Sequence, residues 1–128
     1  PEYANVEDPR IQQVIRRAIH AALKMEAVKY LPALTQKMAR ELGFSYSQVA
    51  VRNNRTRWGS CSGRNRIILN IHMMRLPQHL QEYIVLHELC HTVHKHHQIS
   101  FWQMLDKFTG GRARLLDREL NAYSPEAF

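Results

Sequence analysis

His87-Glu88-Leu89-Cys90-His91-Thr92-Val93-His94-Lys95-His96-His97 is the stretch from which the rest of the chain can be read. It opens with HExxH, two histidines four residues apart with a glutamate after the first. On a helix this spacing puts both imidazoles on one face, a turn apart, so that two ring nitrogens can meet one ion at about 2.0–2.1 Å. Glu88 is rotated off that axis, where a carboxylate can hold a water and take its proton. Leu80, Tyr83, Ile84, Val85, Leu86, Leu89, Cys90 and Val93 make the surrounding segment apolar on nearly every side. Such a segment predicts a buried helix from about Gln78 to His94, started by Pro77. A glutamate inside it is costly unless paired or functional. HExxH alone is short enough to arise by chance, and the apolar helix around it is what favours a metal site.

The third ligand is open to more than one reading. His97 lies ten residues after His87, the spacing of HExxHxxGxxH, in which the chain leaves the helix and turns back to the ion. Here His94 stands where that pattern has glycine, and no Met-turn follows. The turn therefore falls on non-glycine residues, with a positive φ expected at His96, just before the ligand. His94 is a rival ligand if the helix runs straight on. Asp106, Asp117 and Glu119 are weaker rivals that would supply a carboxylate.

The 128 residues fit a single domain able to bury a modest core. With 45% hydrophobic and 23% charged residues the composition is that of a soluble globular protein. No apolar run approaches the roughly 20 residues that span a bilayer, and no secretory signal opens the chain, so no membrane partner is expected. Cys61 and Cys90 are too few for a disulfide framework and read as reduced, buried small hydrophobes, which favours a cytoplasmic location. A formal charge of +7 admits nucleic acid, a nucleotide or an acidic peptide as partner. The charges are scattered, however, and solubility accounts for them more simply.

Asp8-Pro9 is a helix start. From Ile11 to Leu42 apolar residues recur at helical spacing, ending at Gly43, with a kink or restart expected at Pro32 near Leu31. His20 in this helix reads as packed or solvated rather than metal-binding. Gln48–Arg52, Thr56–Cys61 and Arg66–Asn70 read as strands, separated by turn chemistry at Asn53-Asn54 and Ser62–Asn65. A short helical turn at Ile71–Arg75 precedes the buried helix. Ser100-Phe101-Trp102-Gln103 reads as a capping box opening another helix that Gly110-Gly111 ends, and a last helix runs from Arg112 to about Tyr123. Three short strands cannot stand alone. The fold class expected is α+β, a small antiparallel three-stranded sheet packed on the HExxH helix with further helices.

Arg57-Trp58-Gly59-Ser60-Cys61-Ser62, then Ile67, Leu69-Asn70, Pro77, Tyr83, His87-Glu88-Leu89-Cys90-His91, His97 and Phe101-Trp102 together resemble the YgjP-like metallopeptidase domain of zinc-dependent hydrolases. The resemblance is strong from Arg57 to Trp102 and looser over the preceding helix. It implies a zincin-like fold and one zinc ion held by His87, His91 and His97, with Glu88 as general base. Members usually carry Asn-His-Ser where this chain has His96-His97-Gln98, so the ligand position is kept. Members are also longer at the N-terminus. Residues 1–128 would then be a single domain, either a catalytic core without that extension or a short version.

The leading expectation is a zinc metallopeptidase in which Glu88 takes a proton from the attacking water and returns it to the leaving amine. An extended peptide could add to the sheet edge as a further strand. Arg57 and Trp58 lie near that edge by position, although Trp58 reads first as a core residue. A metal-dependent nucleotide or phosphate hydrolase is the second reading, and it lacks a glycine-rich phosphate loop. The third is a nucleic-acid-associated module, either a SprT-like protease or a domain whose zinc is structural. A structural site normally closes with a fourth protein ligand, often Cys, and would leave Glu88 without a purpose.

Overall fold

Asp8 caps the first helix. Its carboxylate accepts the Arg10 backbone N–H at 2.9 Å, and α1 runs from Pro9 to Leu42. This is a computed structural model, and it describes residues 7–126. The helix ends where Gly43 takes the left-handed conformation, φ 81°, and donates its N–H to the Ala39 carbonyl at 2.9 Å.

Of the kink or restart expected at Pro32, the restart does not occur: α1 runs through the proline uninterrupted. The proline deprives the Val28 carbonyl of its helical partner, but Val28 is on an exposed face, where water can serve instead. Buried residues on both sides of the proline (Leu23, Ala27 and Leu31 before it, Leu34, Thr35 and Ala39 after it) hold the helix continuous through it. Tertiary packing outweighs the lost hydrogen bond.

The sheet has the order β1-β3-β2, with β1 Gln48–Arg52, β2 Gly59–Cys61 and β3 Arg66–Asn70. β2 pairs antiparallel with β3, placing Ser60 opposite Ile68. β1 pairs parallel with β3, placing Val49 opposite Ile67, so the sheet is mixed rather than wholly antiparallel. The expected hairpin at Asn53-Asn54 does not form. Asn54 Oδ1 accepts the backbone N–H groups of Thr56 and Arg57, while Asn70 Nδ2 donates to the carbonyls of Asn54 and Arg57, each at 2.7 Å. This loop is anchored at the end of β3 and delivers β2 to its far side. Pinning it also shortens β2, which begins at Gly59 rather than Thr56. The β2–β3 turn is a true hairpin turn, with Asn65 at φ 63°.

A 3₁₀ turn, Ile71–Arg75, leads to α2 (Gln78–His91), α3 (Ile99–Thr109) and α4 (Ala113–Leu120). α2 stops three residues short of the expected His94. α3 begins at Ile99, one residue before Ser100, so the serine lies inside the first turn and the expected capping box is unused. α4 is likewise shorter than Arg112–Tyr123, and the Ala113 N–H at its start donates to Asp106 Oδ1 at 3.1 Å. α1 packs on β1, the 3₁₀ turn and α2, and α2 packs in turn on β2, α3 and α4. α2 is therefore the centre of the core, with Leu80, Val85, Leu89 and Cys90 fully buried. No helix among the described residues is long and apolar enough to cross a membrane.

The two halves of α1 differ in what they bury. Leu31 is fully buried, whereas Val14 stands in solvent. Leu31→Ala is expected to cost about 2–5 kcal/mol of unfolding free energy, and Val14→Ala less than about 0.5 kcal/mol. Urea denaturation measures both, and comparable losses would contradict an N-terminal arm that lies outside the core.

Candidate metal centre

His87 and His91 stand on one face of α2, as their spacing requires. The helix then closes through Thr92, whose hydroxyl donates to the Leu89 carbonyl at 2.6 Å, and through the N–H groups of Val93 and His94, both directed to the Cys90 carbonyl. This turn brings the chain back so that one ligand atom from each of His87, His91 and His97 lies within 4.8 Å of the others. His91 Nε2 and His97 Nε2 are 3.1 Å apart. Two donors on a tetrahedral ion at 2.0–2.1 Å would be separated by about 3.3 Å.

The turn needs no left-handed residue. Among the described non-glycine residues only Asn65 has a positive φ, so the expectation for His96 is corrected. His96 instead accepts the Gln98 N–H on its Nδ1 at 3.1 Å. His94 supplies its backbone rather than its ring, because its carbonyl accepts from His91 Nδ1 at 2.8 Å. With its proton on Nδ1, His91 presents the Nε2 lone pair to the cluster, and the carbonyl fixes the ring's orientation. None of the carboxylate rivals joins the cluster, and each has another partner. Asp106 holds the start of α4, Glu119 pairs with His79 at 2.6 Å, and Asp117 Oδ1 accepts the Tyr83 hydroxyl at 3.2 Å.

Phe101 of α3 forms a floor under all three imidazoles. It is fully buried, stacks on His91 with ring centroids 4.3 Å apart, and meets His87 and His97 edge-on at 5.0 and 5.1 Å. Burial and the neighbouring imidazoles hold His87 down to about 3, and burial also lowers His91. Both rings are therefore neutral near pH 7, as metal ligands must be. Three nitrogen donors converging within ligand reach fit a divalent ion, with room left for a non-protein ligand.

Glu88 is 5% exposed. Burial pushes its carboxyl up to about 8, opposed by the positive charge of Arg57. Gly59 of β2 makes that burial possible. A Cβ there would lie 3.2 Å from Glu88 Cγ and Oε2 and 3.3 Å from the Ile68 carbonyl. A glycine inside a strand often marks a close approach of this kind, and Gly59 is the readable signal that sequence reasoning passed over.

A cleft of about 450 Å³ runs between β2 and α2 over these residues, bordered by Arg57, Trp58, Cys61, Tyr83, Lys95 and Asp117. Cys90 is a core residue, as expected, with its thiol pushed up to about 12 by burial. Cys61 differs from its expected buried state. It is half-exposed and borders the cleft because β2 is an edge strand. Trp58 both packs on the core and faces the cleft. Lys95 Nζ donates to Asn65 Oδ1 and, at 3.0 Å, to the Ser62 carbonyl, tying the loop that carries His97 to the β2–β3 turn. Nothing in the sequence singles out Lys95, because its partners lie some 30 residues away.

The buried carboxyl has a measurable consequence in the metal-free chain. Its folded pKa of about 8 lies above the unfolded value of 4.5, so its contribution to stability is complete below 4.5 and is lost as pH rises through 8. Denaturant titrations of metal-free protein at pH 6 and pH 9 should therefore show Glu88→Gln gaining on the parent at the higher pH, by about 3 kcal/mol, nearly all of it below pH 8. A difference between the two proteins that does not change with pH would contradict a carboxyl held out of water.

The YgjP-like metallopeptidase domain model matches residues 1–123. No curated protein matches the chain. Among solved structures it is similar to the metallopeptidase zymogen abylysin of Pyrococcus abyssi, with a TM-score of 0.59 and 26% identity, covering 72% of this chain and 93% of that one. It is also similar to the metallopeptidase zymogen jannalysin of Methanocaldococcus jannaschii, at a TM-score of 0.62 and 20% identity, covering 73% and 96%, a likeness of fold alone. The α+β architecture is thus zincin-like, and the chain, a metal-dependent hydrolase, belongs to the YgjP-like metallopeptidase domain family.

Proposed function

We propose that His87, His91 and His97 hold a single zinc ion and that Glu88 is the general base of a peptidase whose catalytic domain is residues 1–128. The observation that carries this reading is the convergence of three imidazole nitrogens beside a carboxylate kept out of water. An all-nitrogen set of three with space for a further ligand suits zinc better than magnesium or calcium, which prefer oxygen. When bound, such an ion polarises the scissile carbonyl and makes the attacking water more acidic.

The remaining chemistry falls to the chain. Glu88 holds the water by one carboxylate oxygen, takes its proton, and carries that proton to the amine as the peptide bond breaks. Its surroundings keep it basic, and a cation on the neighbouring histidines draws its pKa back towards neutrality. Phe101 and the His94 carbonyl keep the imidazoles in position, so little reorganisation accompanies the reaction. β2 is the outer strand of the sheet and borders the cleft, so an extended peptide can lie along it with main-chain hydrogen bonds.

A phosphate substrate is less well served. Of the two cations at the cleft, Arg57 acts on Glu88 and Lys95 is engaged with Ser62 and Asn65. A structural zinc would leave the buried Glu88 unexplained. A reducing, cytoplasmic setting is the one that the low cysteine count favours.

Purified protein is expected to carry about one zinc per chain. Glu88→Gln should retain the metal and lose hydrolysis by about 10²–10⁴-fold. His97→Ala should weaken metal affinity by more than about 100-fold, beyond what loss of an outer hydrogen bond costs. Metal analysis, competition with a chelator and a mixed-peptide assay read these effects, with nucleoside triphosphates as the competing substrates. Full turnover by Glu88→Gln, or unchanged zinc affinity in His97→Ala, contradicts the assignment.

A further inference from the structure

The N-terminal half of α1 contributes little to the core but is not featureless. From Pro9 to Ala22 no residue is fully buried, and the core-facing series begins at Leu23 and continues through Ala27, Leu31 and Leu34. A second apolar series runs along the other side. Ile11, Ala18 and Met25 are spaced by sevens, as are Val14, Ala21 and Val28, and the two sets interleave at three and four. This is the a and d pattern of a coiled-coil seam. At 100° per residue it points roughly 150° away from the core-facing residues. Val14, Met25 and Val28 are 61%, 67% and 51% exposed, and Ala18 and Ala21 are exposed as well.

The residues flanking the seam decide what can cover it. At the e and g positions the charged residues are Arg10, Arg17, Lys24 and Lys29, and all are cations. Arg10 is paired with Asp8. Glu26 lies at a b position, off both flanks. A second copy of the chain would meet like charge in either orientation, with Lys24 against Lys29 when parallel and the Arg17 and Lys24 flanks facing each other when antiparallel. Such contacts are destabilising. Carboxylates at the same positions would make every flank contact attractive. No residue of α1 borders the metal cleft, so a helix lying on this seam leaves the site open.

We propose that this face of α1 is a docking surface for an amphipathic helix of a partner protein, with an aliphatic seam flanked by Glu or Asp. Docked there, the partner tethers the peptidase without covering its metal centre.

The test uses fluorescent synthetic helices of about three heptads, Ile at a and Leu at d, that differ only in carrying Glu or Lys at e and g. They are titrated into the full chain by anisotropy, with mass spectrometry confirming that the peptide stays intact. The Glu helix is expected to bind about tenfold or more tightly than the Lys helix, and less tightly as salt rises. Arg17→Glu with Lys24→Glu should invert the preference. Val14→Ser with Met25→Ser should abolish binding while the unfolding transition stays in place, both side chains being exposed. Equal binding of the two helices, or binding that survives the serine pair, overturns the proposal. So does a wild-type dimer in sedimentation that the serine pair disperses, which assigns the face to a second copy. Capture by phosphatidylserine vesicles with neither helix bound also overturns it, assigning the face to a membrane surface.

Discussion

The desolvation of Glu88, together with His87 and His91, is the constraint on which the rest of the molecule depends. These residues occupy α2, the helix that also forms the centre of the hydrophobic core. A carboxyl and two imidazoles placed there oppose folding unless something compensates them. Arg57 offsets part of the carboxyl's cost, the His94 carbonyl satisfies one imidazole nitrogen, and the three converging nitrogens form a cluster that fits a cation. Gly59 lets β2 close over the carboxyl, and Phe101 seals the cluster from beneath. Site and core are thus a single packing unit. Metal binding is expected to stabilise the fold as well as enable the reaction.

Local patterns were readable where local physics governs. HExxH on an apolar helix singled out His87, Glu88 and His91, because helical spacing alone places the two histidines on one face with the glutamate beside them. The Asp8-Pro9 start and the Gly43 end of α1 were equally plain, since caps are satisfied by residues next to them. His97 could be nominated from spacing, and the structure brings its ring into the cluster. The features that escaped are non-local. The parallel pairing of β1 with β3 depends on Asn70 holding a loop 16 residues earlier in the chain, and the continuity of α1 through Pro32 depends on core contacts on either side. Lys95 acquires its role only when the β2–β3 turn arrives beside it.

His94 and His96 show why composition misleads in a histidine-rich segment. Five of the eleven residues from His87 to His97 are histidine, yet only three rings converge. The other two shape the turn, His94 through its carbonyl and His96 through an acceptor nitrogen. The turn therefore closes through hydrogen bonds at the end of α2 rather than through a left-handed residue. It does without the glycine that the longer motif carries at position 94.

X-ray absorption at the zinc edge of the metal-loaded protein tests the central claim most directly. The account predicts three imidazole nitrogens and one further light donor at about 2.0–2.1 Å. A sulfur at about 2.3 Å, which would bring Cys61 into the site, or a shell with only two imidazoles would contradict it.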